Sequence, residues 1–242
     1  MPVVLVHGAP DRSKNFAAVV ELLADLPLIT YDRRGYGKSL AATPPARDFA
    51  DHADDLIAIL GGRRSVVVAQ SVGCNVAMAA AAKAPSMVAS LGMWEPPTAW
   101  CDWWPVPDLR DSAAVFAASV DPYLLGEQFN RQILGDRRWD ELDERTKDML
   151  RREGAAFRTD MAAELSPPFE FSEILCPAVI GSGTATSSGH LEGARRLAQI
   201  LGADLFEVAG ADHFAPLTNP PAWANLVRQA VALADHEPSR GR

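Results

Sequence analysis

One stretch of the sequence decides the fold: it reads Val66-Val-Val-Ala-Gln-Ser71-Val-Gly73-Cys-Asn-Val-Ala77. A β-branched run typical of a buried strand leads directly into a run typical of a helix, with Ser71 at the turn between them. A turn this sharp strains the serine backbone and needs small residues two positions away on each side, which Ala69 and Gly73 supply. The pattern predicts a nucleophile elbow, which holds a serine hydroxyl beside the positive end of a helix. The alternative is a serine that only caps the helix.

The rest of the chain alternates short strands with longer helices. Strands are predicted at residues 3–6, 28–31, 65–69, 88–94, 178–180 and 205–208, and helices at 13–25, 48–60, 73–84, 189–201 and 220–234. Continuous apolar strands joined by helices predict an α/β fold, with a mostly parallel sheet of about six strands covered by helices on both faces. Residues 1–95 and 173–242 are assigned to this core.

Residues 96–172 interrupt the alternation. They begin with Pro96-Pro97 and predict helices at 110–119, 122–134 and 139–164. We expect this helical insertion to form a cap over the carboxyl edge of the sheet, where open α/β sheets bind ligands. Three tryptophans near its start are expected to line an apolar entrance or, alternatively, to form the cap's own core: Trp100, Trp103 and Trp104.

Composition excludes several classes of protein. The chain has 242 residues, 48% of them hydrophobic, which suits one sizeable core. Acidic residues number 31 against 23 basic ones, so the formal charge of −8 argues against nucleic acid or a membrane surface as partner. The three cysteines are widely spaced and predict neither a disulfide framework nor a zinc site. No apolar run approaches the ~20 residues of a membrane span, and no basic leader precedes the first strand, so we expect a cytoplasmic protein.

Two histidine-containing stretches complete the candidate site. The first strand ends in Val6-His7-Gly8-Ala9, and the N–H groups of Ala9 and Val72 are expected to hold an oxyanion. Near the far end, Val208-Ala-Gly-Ala-Asp-His213 places His213 in a loop after the last strand. It lies downstream of the serine, as the chain order serine, acid, histidine requires, and is the candidate general base.

With these pieces the chain resembles the α/β-hydrolase superfamily. The matching segments span nearly the whole chain in the family's order: His7-Gly8, Tyr31-Asp-Arg-Arg-Gly-Tyr-Gly-Lys-Ser39, the elbow at residues 69–73, and Gly210-Ala-Asp-His213. The resemblance implies a small-molecule carbonyl substrate and neither a metal nor an organic cofactor. One departure is that the chain begins at what would be the third strand of the family's sheet.

The second departure concerns the acid that orients the histidine. The family's usual acid follows the strand at 178–180, but Thr186 stands about where that aspartate would be. Glu95 is the candidate substitute, because it ends the strand expected beside the serine's strand, and some superfamily members place their acid there. The alternative is a carboxylate that caps a helix of the insertion or pairs with an arginine. Pro96 is expected to hold Glu95 in an extended conformation. Asp212 and Asp102 are weaker contenders.

These residues predict a serine hydrolase that acts on a small ester, thioester or lactone. Ser71 attacks the carbonyl, His213 accepts and returns the proton, and Glu95 orients the imidazole. The same constellation also serves C–C bond hydrolases, hydroxynitrile lyases and perhydrolases. A non-catalytic, receptor-like binder is the alternative from another class, and the missing acid after residue 180 is its best support. The sequence leaves open the natural substrate and whether the chain forms a homodimer.

Overall fold

The computed structural model describes residues 1–105, 118 and 120–236. Their strands form one parallel sheet in the order β2-β1-β3-β4-β5-β6. The bounds of these strands are β1 Val3–Val6, β2 Leu28–Thr30, β3 Ser65–Gln70, β4 Val88–Trp94, β5 Ala178–Gly183 and β6 Asp204–Val208. The predicted six-stranded parallel sheet is confirmed, and β3, which leads into the elbow, lies between β1 and β4.

Helices cover both faces of the sheet. Their bounds are α1 Ala17–Leu22, α2 Phe49–Leu60, α3 Val72–Lys83, α4 Pro122–Leu134, α5 Asp136–Glu141, α6 Glu144–Arg152, α7 Gly154–Ala163, α8 Ser188–Leu201, α9 Ala215–Thr218 and α10 Pro220–Asp235. The predicted helix at 13–25 is shorter, because residues 13–16 form a 3₁₀ turn before α1.

Alternate strand residues enter two separate apolar layers. Val4 and Val67 pack with α2, α3 and α8, whereas Val3 and Val66 pack with α1 and α10 on the opposite face. Because both faces are covered, the strands need apolar residues at every position, which is why β1 and β3 read as continuous valine-rich runs.

Helices α4 to α7 lie between β4 and β5, inside the predicted insertion. The predicted helix at 122–134 is confirmed as α4, and the one at 110–119 falls almost wholly outside the described residues. The single helix predicted at 139–164 is wrong, because this stretch holds the end of α5 followed by α6 and α7. The Asp143 carboxylate accepts a hydrogen bond from the Thr146 N–H and starts a new helix there. Apolar spacing continues across this break, so periodicity alone did not reveal it.

None of the described helices combines the length and the apolar character that crossing a membrane requires.

Candidate active site

The elbow has the strand–turn–helix geometry that the sequence predicts. Ser71 follows β3 with φ 51° and ψ −131°, a conformation that non-glycine residues rarely adopt. Its N–H donates to the carbonyl oxygen of Trp94 at 2.9 Å, which ties the turn to β4. A Cβ atom at Gly73 would lie 2.6 Å from the carbonyl oxygen of His7, so only glycine lets α3 pack this closely against the end of β1.

Glu95 and His213 meet at the carboxyl edge of the sheet. The His213 Nδ1 atom and the Glu95 Oε2 atom are 2.7 Å apart, and the Glu95 side chain is fully buried. The Glu95 N–H still donates to Gly181 of β5, and the backbone then turns with φ 48°. The expectation that Pro96 keeps Glu95 extended is therefore wrong, since Glu95 adopts a left-handed conformation immediately after β4.

Donors from the loop after β5 surround the Glu95 carboxylate. Its Oε1 atom accepts from the Gly183 N–H at 2.9 Å and the Ser182 hydroxyl at 3.1 Å, and Oε2 accepts from the Thr186 hydroxyl at 2.8 Å. Burial alone would raise the pKa of Glu95, but the hydrogen bond and charge of His213, together with these donors, bring it below its ordinary value. The loop after β5 lacks the family's usual acid, but it binds the Glu95 carboxylate at the end of the neighbouring strand β4. Thr186 contributes its hydroxyl to this contact.

Four hydrogen bonds position the loop that carries His213. The Gln70 side-chain amide donates to the His213 carbonyl oxygen at 2.8 Å, and the Trp94 indole N–H donates to the Asp212 carbonyl oxygen at 3.2 Å. The Asp212 carboxylate accepts from the Phe214 N–H and the Thr218 hydroxyl. Asp212 therefore stabilises its own loop, whereas the carboxylate that contacts the His213 ring is Glu95.

A buried polar network fixes the loop after β1. The Arg33 N–H donates to Nε2 of His7, and the Arg33 guanidinium donates to the carbonyl oxygens of His7 and Gly8 at 3.1 and 2.8 Å. Arg33 also forms a fully buried ion pair with Asp160 of α7 at 2.8 Å. Burial, followed by the charge of Arg33, lowers the pKa of His7 to about 3, so His7 is a neutral structural residue. Sequence reasoning missed this network, which joins segments more than 100 residues apart.

The two residues predicted to hold an oxyanion flank Ser71. Val72 is the first residue of α3, and Ala9 follows Gly8, where a Cβ atom would lie only 3.2 Å from the Cβ atom of Ser71. Within the described part of the chain, neither the Ala9 N–H nor the Val72 N–H donates to a protein acceptor.

Ser71 and His213 line one cavity of about 270 Å³. Its polar side comes from Gln70 and the loop after β1, which contributes Asp11, Arg12, Lys14 and Asn15. Its apolar side comes mainly from the helical insertion, with Phe129, Ile133, Leu134, Leu142 and Leu150. The insertion thus contributes a wall to the same cavity that Ser71 and His213 enter.

The three tryptophans lie elsewhere, which corrects the expectation that they line the entrance. Trp100 packs against Phe169 and Phe171, with ring centroids 5.9 and 5.8 Å away. Trp103 packs against the core layer on the α2 and α3 face, and Trp104 is buried against α8. None of them is among the residues that line the cavity beside Ser71. They are packing residues, but Trp103 and Trp104 contact elements of the α/β core, so the alternative of a separate core within the cap does not describe them either.

His190 is a residue of this region that the sequence did not single out. Its ring lies against the His213 ring with centroids 4.5 Å apart, and its Nδ1 atom is 2.7 Å from the Ser187 hydroxyl. Burial and then the charge of His213 lower the pKa of His190 to about 4, so this imidazole is neutral at physiological pH. Glu95, His190 and His213 each offer one metal-ligating atom, all within 4.8 Å of one another.

Sequence comparison then identifies the family. The profile of the Alpha/beta hydrolase family matches residues 3–226. The chain belongs to this family. The resemblance inferred from the elbow and the other matching segments is confirmed.

Solved α/β-hydrolase structures superpose on nearly the whole chain. A thermophilic esterase from Thermogutta terrifontis has a TM-score of 0.75 and 20% identity, covering 97% of this chain and 90% of that chain. The enol-lactonase from Burkholderia xenovorans LB400 has a TM-score of 0.71 and 20% identity, covering 96% of this chain and 91% of that chain. At these identities the likeness establishes the shared fold.

Curated relatives match over shorter segments. The putative carbamate hydrolase RutD of Caulobacter vibrioides is 35% identical over 93 residues, which cover 37% of this chain and 35% of that protein. The probable oxidoreductase EphD of Mycobacterium tuberculosis is 44% identical over 61 residues, covering 24% of this chain and 10% of that protein. The chain therefore matches about a third or less of the length of these relatives.

Proposed function

We propose that this α/β-hydrolase is a serine hydrolase that cleaves a small ester, thioester or lactone through an acyl-enzyme intermediate. The observation that carries the proposal is the 2.7 Å contact between His213 Nδ1 and the buried Glu95 carboxylate, in a site where His213 and the strained Ser71 line one cavity. A carboxylate on Nδ1 keeps that nitrogen protonated and leaves Nε2 as the base.

The proposed reaction has two halves. In the first, the Ser71 Oγ atom forms a bond to the carbonyl carbon while its proton passes to Nε2 of His213, and the resulting oxyanion accepts hydrogen bonds from the N–H groups of Ala9 and Val72. Collapse of this intermediate breaks the bond to the leaving oxygen or sulfur, which takes the proton from His213. In the second half, water repeats the same steps, releases the acid and restores the Ser71 hydroxyl.

Glu95 supplies the electrostatic part of this mechanism. Its pKa lies below the ordinary value, so it remains ionised at neutral pH and stabilises the imidazolium that forms during each proton transfer. The main argument for a non-catalytic binder is that residues 181–189 contain no acid. Glu95 weakens this argument, because it supplies a carboxylate from the end of the neighbouring strand.

The cavity limits the substrate to a small molecule. A volume of about 270 Å³ is slightly below the ~300–1,000 Å³ that is usual for small-molecule sites. The polar side suits an oxygen-rich or charged part of the substrate, and the apolar side, formed by Phe129 and leucines of the insertion, suits a short hydrocarbon part. The esterase, enol-lactonase and carbamate hydrolase among the similar proteins are consistent with a carbonyl substrate.

Hydrolysis of p-nitrophenyl esters of increasing acyl length tests this proposal. We expect turnover of the acetate and butyrate esters, a fall with longer chains that exceed the cavity, and complete loss in Ser71→Ala. The exposed Ser172→Ala is the matched control and should retain the wild-type rate. A folded wild-type protein that hydrolyses none of these esters, or a Ser71→Ala variant as active as wild type, would contradict the proposal.

A further inference from the structure

Three nitrogen and oxygen donors converge beside the proposed relay. Glu95 and His213 are already in contact, and His190 brings a second imidazole against His213, with ring centroids 4.5 Å apart. One ligating atom from each of the three residues lies within 4.8 Å of the other two. Of these three residues the proposed mechanism uses Glu95 and His213, so His190 has no part in that chemistry.

The donor set matches one class of ion. Two imidazoles and one carboxylate suit Zn²⁺, whereas Mg²⁺ and Ca²⁺ prefer sites built from oxygen alone. Three protein ligands are also the number found in zinc sites that keep one coordination position open. Ser187 engages Nδ1 of His190 and leaves its Nε2 atom without a protein partner within the described residues.

We infer that Glu95, His190 and His213 form a binding site for Zn²⁺, and that the bound ion switches the hydrolase off. The inhibitory part of this inference rests on the proposed function, whereas the binding part does not. The ion would bind the Nδ1 lone pair of the neutral His213 ring, so the single ring proton moves from Nδ1 to Nε2. With a hydrogen on Nε2 and the Nδ1 lone pair on the metal, His213 has no free lone pair with which to accept the proton of Ser71.

The geometry needs only small movements. Zinc–nitrogen and zinc–oxygen bonds of about 2.0–2.2 Å at tetrahedral angles separate neighbouring ligand atoms by roughly 3.4 Å. The contact between His213 and Glu95 therefore opens from 2.7 Å by well under 1 Å. His190 has to approach by at most about 1.4 Å, because its ligating atom lies at most 4.8 Å from the other two and the target is roughly 3.4 Å. It sits in the first turn of α8, where its side chain is only partly buried.

Calorimetric titration with zinc chloride tests the site without relying on activity. We expect one saturable site in the wild type and an affinity at least about tenfold weaker in His190→Gln, because a ligand is lost. Magnesium chloride should give no comparable signal. The exposed His236→Gln is the matched control and should bind zinc like the wild type. His190→Phe keeps an aromatic ring beside His213 and Trp104, and it serves as a second variant whose melting temperature reports folding.

An esterase assay completes the test. Zinc should inhibit the wild type over the same concentrations that fill the site, EDTA should restore turnover, and His190→Phe should hydrolyse the ester yet resist zinc. Absence of saturable binding, or equal zinc affinity in the wild type and both His190 variants, would overturn the site. If the protein binds zinc through His190 but hydrolyses no ester, the site stands and the proposed function fails.

Discussion

Glu95→Gln removes one charge from the relay while changing almost no volume. The amide oxygen should take the place of Oε1, because the Gly183 N–H and the Ser182 hydroxyl both donate to that position. The amide NH₂ group then faces Nδ1 of His213, now 2.7 Å from Oε2. A donor at this position makes Nδ1 an acceptor and moves the ring proton to Nε2. In that tautomer His213 cannot accept the proton of Ser71.

The expected loss follows from this wrong tautomer and the missing charge. We expect kcat/KM to fall by ~10²–10⁴-fold at pH 7, which corresponds to about 3–5 kcal/mol of transition-state stabilisation. Steady-state hydrolysis of p-nitrophenyl acetate measures it, and a thermal melt verifies that the variant is folded. The exposed Glu192→Gln is the matched control and should keep the wild-type rate. If Glu95→Gln stays within about threefold of wild type, Glu95 does not orient His213 as we argue.

Three further changes probe the surroundings of the site. Gly73→Ala places a methyl group 2.6 Å from the carbonyl oxygen of His7, so Ser71 must shift. We expect kcat/KM to fall ~10²-fold or more. An unchanged kcat/KM would show that the elbow tolerates a side chain at this position. Asp160→Asn leaves the buried Arg33 charge uncompensated and should lower the free energy of unfolding by ~3–5 kcal/mol, measured by urea denaturation. A loss below about 1 kcal/mol would contradict a stabilising role for this ion pair. Burial, followed by the charge of Asp160, raises the pKa of Glu164 from an ordinary 4.5 to about 8. Between these pH values the folded protein keeps a proton on Glu164 that the unfolded chain releases. The free energy of unfolding of the wild type should therefore fall as pH rises from 4.5 to 8. Glu164→Gln should remove this pH dependence and, above pH 8, raise the free energy of unfolding over that of the wild type by a few kcal/mol, at most about 5. If the variant and the wild type differ in unfolding free energy by the same amount at pH 5 and at pH 9, the raised pKa of Glu164 is refuted.

Local pattern was enough to predict the sheet and the main contact of the candidate site. Buried parallel strands need apolar residues at every position, so their runs stand out from the helices. The carboxyl ends of neighbouring parallel strands meet at one edge, which is why Ser71 after β3 and Glu95 after β4 were expected near each other. The contact between Glu95 and His213, 118 positions apart, follows from that topology.

Features that depend on long-range packing escaped prediction. The left-handed backbone of Glu95 is imposed by its pairing with Gly181 and by the donors around its carboxylate, which outweigh the usual effect of Pro96. Thr186 donates to Glu95 from 91 positions away, and no local pattern distinguishes that hydroxyl from its neighbours. Likewise, the positions of the three tryptophans depend on how the insertion folds against the sheet. The sequence of an aromatic cluster is the same whether its side chains pack internally or line a pocket.

The most direct measurement of the central claim is covalent labelling with a fluorophosphonate probe, followed by peptide mapping. We expect one adduct per folded chain, located on Ser71, absent in Ser71→Ala and formed much more slowly in His213→Ala. A folded wild-type protein that gains no adduct, or gains it on another residue, would contradict the claim that Ser71 is a nucleophile activated by His213.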